Sequence, residues 1–357
     1  ETDYDKTNPE MFVGYRLDSE GKPVKDFYRI NLRSDKIYTV EYKDKVNTRE
    51  ETGAEFAFNG GAFSYDGVKR GVSIVETLFR NNVTNIQLTG TETKNNTVTI
   101  RGGAFYNEGS IENLQADFIG NTAHAKIIIP KQSDGAAEVY GGAVYNSGYI
   151  KNIEGDFINN NVSASLTFLG GGSGHTPSEG GAVYNEGWID NIKGDFINNQ
   201  AGWNGGAITV EQESQIERIE GNFINNKTSG MNSYGGAIAV KGEVNEIHGN
   251  FVNNMTTVDG GAIGIMNNGS NNGEVGKISG NFVSNGVKGD MAYLRGGAVS
   301  IRHGGTSPVI DADFINNYAA NTQVLSGYDL QARVVATGGA IDTYADTTFV
   351  ADNVHHI

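Results

Sequence analysis

The stretch Gly141-Gly142-Ala143-Val144-Tyr145-Asn146-Ser147-Gly148, followed shortly by Gly155-Asp156-Phe157-Ile158-Asn159-Asn160, decides how this chain is read. Its opening tetrapeptide, Gly-Gly-Ala-apolar, occurs nine times, with first glycines at Gly60, Gly102, Gly141, Gly180, Gly205, Gly235, Gly260, Gly296 and Gly338. A second signature, F-x-x-N, follows at Phe79, Phe118, Phe157, Phe196, Phe223, Phe251, Phe282 and Phe314. A ninth Phe, Phe349, comes early and carries Asp352 in place of the Asn. Apolar residues fall seven and four positions before the Phe: Val72 and Val75, Ile111 and Leu114, Ile150 and Ile153, Ile189 and Ile192, Ile216 and Ile219, Val244 and Ile247, Val275 and Ile278. Self-similarity at such a period marks a solenoid, in which each unit buries its apolar face only by stacking on its neighbours.

Spacings of three and four also suit a helix. However, Gly155, Gly194, Gly221, Gly249 and Gly280 stand two residues before the Phe, and each would cost a helix interior about 1 kcal/mol. β-Branched residues and Phe separated by Gly and Asn instead predict short strands with turns. The closest repeats, Gly180 to Gly205 and Gly235 to Gly260, are 25 residues apart, enough for one turn of three short strands. The expected fold is therefore all-β, a right-handed, single-stranded parallel β-helix of about nine coils and roughly 43 Å. Stacking then makes the Phe and Ile/Val positions interior ladders and the repeated Asn hydrogen-bonded ladders, against the rival that Asn159, Asn160, Asn198 and Asn199 read sugars. The Gly-Gly pairs are read as corners that need positive φ or close backbone approach.

Residues 1–55 lack the repeat and alternate in β-like fashion over Met11 to Leu17, Phe27 to Leu32 and Lys36 to Tyr42, with a turn at Ser19 to Pro23. They are expected to cap the open first coil, an edge that would otherwise aggregate. The repeat domain is expected over 56–357, cut from a longer protein at its C-terminal end, His355-His356-Ile357.

Fifty glycines against five prolines fit a repeated turn, not disorder or collagen. The absence of cysteine removes thiol chemistry and disulfides and suits a chain exported unfolded. A net charge of −15 works against nucleic acid and anionic membranes as partners.

The paired motifs, across residues 56 to 353, resemble the passenger repeats of polymorphic outer-membrane proteins and related autotransporter adhesins. The resemblance implies a cell-surface β-helix exported through the outer membrane, partnered by a C-terminal β-barrel of its own precursor, and binding a host-surface protein or glycan. Here the first motif often extends to G-G-A-V-Y-N-x-G, and G-D-F-I-N-N recurs at Gly155 and Gly194. Such near-identity points to duplication and a mainly structural role.

Parallel β-helices also include pectate lyases and polygalacturonases, so acidic ladders need scrutiny. Asp117, Asp156 and Asp195 each precede the Phe and point outward by alternation. Stacked about 4.8 Å apart, they face water or share calcium, the one cofactor considered. Arg302-His303-Gly304-Gly305 lacks the paired aspartates and the R-I-K sequence of a polygalacturonase, Ser173 lies in no G-D-S-G motif, and six histidines show no metal-ligand spacing beyond the terminal pair. The expectation is a stalk or adhesin and not an enzyme, with a polysaccharide lyase or hydrolase, or a pure spacer, as the alternatives.

What varies is the segment between F-x-x-N and the next Gly-Gly. It runs to about twenty residues at 83–101, 122–140, 161–179 and 318–337, but five at 200–204 and 255–259. These insertions leave one corner and bring Ile127, Ile128, Ile129, Leu166, Phe168 and Tyr328 as candidate contact residues, unless each merely adds a strand or covers the side of the helix. Tyr106, Tyr145 and Tyr184, with Trp188 and Trp203 nearby, form an aromatic ladder suited to glycans if exposed and to stacking if not.

Overall fold

The computed structural model describes residues 45–322 apart from 54, 68–70, 92–94, 131–132, 232, 267–272, 291–292 and 303–307, and residues 335–343. It also describes the strand backbones Asp3–Tyr4, Phe12–Leu17, Pro23–Ile30, Ile37–Tyr38, Glu41–Lys43 and Thr348–Phe349. The described chain is all-β, and its long sheets are parallel, as in a parallel β-helix.

The repeats stack into three long sheets, each with its own part of the repeat. One sheet stacks Phe63–Tyr65, Phe105–Asn107, Val144–Asn146, Val183–Asn185 and their successors to Ile341–Thr343, just after each Gly-Gly-Ala. The longest stacks the strands that carry the Ile/Val and Phe positions, from Val72–Arg80 to Val309–Ile315. A third holds Val46–Thr52 and then the strands that follow each F-x-x-N, from Val83–Thr89 to Tyr318–Asn321.

Register places like on like. Phe79, Phe118, Phe157, Phe196, Phe223, Phe251, Phe282 and Phe314 stack with ring centroids 4.6–5.0 Å apart, close to the strand spacing of a sheet. The motif Asn forms a second buried column. Asn160 Nδ2 donates to Asn199 Oδ1 at 3.0 Å and to the Phe118 carbonyl at 2.8 Å, while its own Oδ1 accepts from Asn121. Fully buried and fully bonded, Asn160 and Asn199 have no capacity left to read a sugar. The residue before each, such as Asn159 at φ 56°, takes the left-handed turn that lets the ladder Asn point inward.

The Gly-Gly corner obeys both constraints expected of it. Gly141 has φ +71°, and a Cβ on Gly142 would collide with the Gly181 carbonyl of the next layer.

Three departures from expectation have local causes. In the first repeat Ile74, not Val75, pairs with Leu114 and is buried, because the register slips by one residue between Val72 and Ser73; the left-handed Glu76 (φ 51°) lies where it is restored, before Thr77. Phe349 aligns with Ile310, not Phe314, so it takes the Ile/Val ladder position. Parallel pairing also begins before residue 56: Glu41–Lys43 aligns Tyr42 with Phe79, and Val46–Thr52 pairs with Val83–Thr89. Antiparallel pairing is confined to Asp3–Tyr4, Phe12–Leu17 and Pro23–Ile30 among the described residues.

The long insertions build a second core. In the layers that lead into Gly102, Gly141 and Gly180, strands Val83–Thr89, Thr122–Ile129 and Asn161–Phe168 fold back over Asn96–Arg101, Gly135–Tyr140 and Ser178–Glu179. Ile86, Leu88, Val98, Ile100, Ile127 and Ile129 meet between them, apart from the main core of Phe and Ile ladders.

Candidate functional site

Ile127 and Ile129 are not contact residues. Alternation along Thr122–Ile129 turns them inward with Ala123 and Ala125, and all four are fully buried in the second core. Ile128 faces the other way and is half-buried, and Leu166 packs partly against that core. Phe168 is exposed at the tip, followed by Leu169, 68 % exposed. Tyr328 lies outside the described residues.

The tyrosine column exists but is not an open aromatic surface. Tyr106, Tyr145 and Tyr184 stack with centroids 5.4 Å apart and are buried where the outer faces of two sheets meet at the Gly-Gly corner. Tyr140 packs on Tyr184 at 4.6 Å. Their hydroxyls donate to carboxylates: Tyr106 to Glu108 at 3.1 Å, Tyr145 to Glu186, and Tyr184 to Glu211 at 2.6 Å. Trp188 belongs elsewhere: it aligns with Tyr149 and Gln215 on the long sheet and is 60 % exposed.

Further along the same corner the filling becomes ionic. Lys241 Nζ lies 2.5 Å from Glu179 and 2.8 Å from Glu211, and Asn204 donates to Glu179 at 2.9 Å. Burial alone would pull the Lys241 ammonium down, but the two carboxylates hold it above its usual range, so it stays charged. Burial pushes the Glu179 carboxyl up against the pull of Lys241. Beyond it, burial drives Asp259 up to about 6 against the pull of Arg302, whose guanidinium is 2.7 Å away. Among the described residues this corner is a packed seam.

On the outer face of the long sheet runs an open groove of about 260 Å³, floored by Gly194, Gly221 and Gly249. A Cβ on Gly194 or Gly221 would collide with the carbonyl one layer back, so the floor is bare for backbone reasons. Lys193, Glu220 and His248 form one wall, with Lys193 paired to Glu220 at 3.1 Å. Asp195, Asn222 and Asn250 form the other, Asn222 donating to Asp195 at 2.7 Å.

Asp195 is the end of the acidic ladder. Asp117 Oδ1 accepts the Asp156 N–H at 2.9 Å, and Asp156 Oδ1 accepts the Asp195 N–H at 3.1 Å. Each layer brings one carboxylate with one oxygen already engaged, whereas calcium takes six to eight oxygens. Among the described residues no group of three or more His, Cys, Asp or Glu side chains could hold a metal ion.

A second opening lies where the second core stops. Asn161–Phe168 aligns along its whole length with Thr122–Ile129, but on its other side only Asn161 has a partner, Gln200. The following layers have just the two-residue strands Gln200–Ala201, Lys227–Thr228 and Met255–Thr256 there, until Gly286–Gly289 and Tyr293–Arg295 widen the sheet again. The result is a notch three layers deep. Phe168 and Leu169 stand at one wall, Met231 and Met255 along the short layers, and Tyr293 at the far wall, five of the eight exposed large apolar residues among those described. The shrinkage from 161–179 to 200–204 signals this notch in the sequence, but nothing there marks Met231, Met255 or Tyr293.

Compared with known proteins, the chain matches no protein-family model, no curated protein and no solved structure.

Proposed function

We propose that this chain is a surface stalk with adhesive capacity: a right-handed, single-stranded parallel β-helix of about nine coils, carried by an exported bacterial protein of the autotransporter kind. In this reading the repeats, with the parallel strands Glu41–Lys43 and Val46–Thr52 that precede them, form the rod, the residues before those strands cap it, and a C-terminal β-barrel of the same precursor anchors it at the cell surface. The observation that carries it is the pair of unbroken columns, Phe79 to Phe314 and Asn82 to Asn317, which run the length of the described rod. Columns that pair every layer to the next resist bending and local opening, which a spacer held off a surface requires. Five of the eight exposed large apolar residues among the described ones lie around the notch on the insertion side, so binding is assigned to that side.

The test is an array of host glycans and matrix proteins probed with the purified chain, with and without calcium. Reproducible binding that weakens in Phe168→Ser/Leu169→Ser supports the adhesin, and a blank array reduces the reading to a spacer.

A second reading, a polysaccharide lyase or hydrolase, is favoured only by the open groove with Lys193, Asp195, Glu220 and His248. Cleavage of an acidic polysaccharide, abolished by Asp195→Asn, would establish it.

A further inference from the structure

We infer that the notch is a docking site for an extended segment of a partner protein, which adds as a β-strand to the edge Ala164-Ser165-Leu166-Thr167-Phe168. The inference rests on the adhesin reading for its biology and names the kind of ligand that reading leaves open.

The argument begins with the main chain. In a parallel ladder a residue turns both its N–H and its C=O to the same neighbour, and the next residue turns both the other way. The N–H groups of Asn161 and Leu169 donate to the Asn121 and Ile129 carbonyls at 2.9 Å each, so the odd-numbered residues face the preceding layer. The Asn160 carbonyl accepts from Gln200 N–H, so the even-numbered ones face the notch. Ala164, Leu166 and Phe168 therefore present three N–H and three C=O groups to a side that has no strand among the described residues. At the far wall the Arg295 N–H donates toward the notch, to Val258 at 3.0 Å. Tyr293, two residues earlier, turns its main chain the same way.

The dimensions suit strands. Four layer steps separate Gly180 from Gly296, which at the sheet spacing is about 19 Å, room for one to three added strands. Such a row of unpaired backbone groups is a template for strand addition, and natural sheets blunt it with charge or proline. Val162 to Phe168 carries neither.

The side chains define the ligand further. An added strand continues the inner face of the second core at Leu166 and Phe168, so every second residue of the ligand must be apolar. Its length is about five to seven residues, the reach of the open edge. Leu169, Met231, Met255 and Tyr293 supply apolar cover around it, two of them flexible methionines that adapt to varied partners.

The probe is a fluorescein-labelled peptide with the sequence of residues 122–129, the chain's own strand for this register, read by anisotropy with amide hydrogen exchange on the full chain. Without the peptide, the Ser163, Ser165 and Thr167 amides exchange slowly and those of Ala164, Leu166 and Phe168 fast. With it, the second set becomes protected, and binding saturates. Leu166→Pro, which removes one N–H facing the notch, weakens binding at least tenfold; Phe168→Lys, which keeps the backbone donor, does the same should the proline variant misfold.

Protection of Ala164, Leu166 and Phe168 in the free chain would overturn the inference, as would equal binding by both variants. Concentration-dependent self-association in place of peptide binding would also overturn it, by making a second copy the occupant. Array binding that persists in Leu166→Pro would sink the notch but leave the adhesin standing.

Discussion

The layers that lead into Gly102, Gly141 and Gly180 and those that lead into Gly205, Gly235 and Gly260 solve the same problem with different amounts of chain. Gly102, Gly141 and Gly180 follow one another at 39 residues, whereas Gly180 to Gly205 takes 25. Both kinds of layer keep the Phe ring, the ladder Asn and the Gly-Gly corner in unbroken register. The extra residues of the wide layers build a second apolar core beside the first and the exposed turns at its rim. A layer of the narrow kind is thus sufficient for the rod, and the wide layers add a lobe whose abrupt end leaves the notch beside Asn161–Phe168.

The largest break in this comparison is expected from Phe157→Ala. Its ring is fully buried, 5.0 Å from Phe118 and 4.7 Å from Phe196, so its loss should cost about 3–5 kcal/mol. Urea unfolding should show that loss in wide and narrow layers alike. Ile127→Ala is equally buried, but in the lobe, and is expected to cost about 2–4 kcal/mol. Hydrogen exchange should confine the loosening to Val83–Thr89, Thr122–Ile129 and Asn161–Phe168, with Gln215–Ile224 and Glu243–Val252 unchanged.

A pH-dependent effect is expected in the narrow layers at Asp259. The folded Asp259 carboxyl at about 6, above its usual 3.8, holds its proton more tightly than the unfolded chain does. The associated stability is therefore complete below about pH 4 and is lost as pH rises through about 6, by at most about 3 kcal/mol. Against Asp259→Asn, the wild type should lose stability between those limits in urea titrations, and parallel pH profiles would contradict the assignment.

Asn160→Ala and Asn226→Ala sharpen the comparison differently. Both side chains are fully buried and make the same ladder bonds, one in each kind of layer. Each should cost about 2 kcal/mol, equally, because the ladder ignores the lobe. The smallest effect belongs to Lys151→Ala, whose ion pair with Glu112 is open to water, so urea unfolding should be nearly unchanged.

Much of this was legible before any coordinates. Nine Gly-Gly-Ala signatures and the F-x-x-N positions identify the stacked residues, and the bare glycines two before the Phe exclude a helix. The candidate site was far less legible. Ile127, Ile128 and Ile129 read as an apolar cluster, but whether a strand faces a core or solvent depends on what folds back over it. The tyrosine column was legible as a stack at one position per repeat. Its burial was not, because that follows from two outer sheet faces meeting at a concave corner.

By itself the sequence determined that like residues stand on like, because a repeat that cannot bury its own apolar face must stack. It also determined where the layers are wide or narrow, since insertion length is written in the spacing of the Gly-Gly pairs. Only the tertiary structure decided which outward side chains are covered, as Lys241 is by Glu179 and Glu211 from other layers, and which backbone edge is left open at Ala164, Leu166 and Phe168. Period and spacing are properties of one repeat, whereas exposure belongs to the gap between neighbours, which no single repeat encodes.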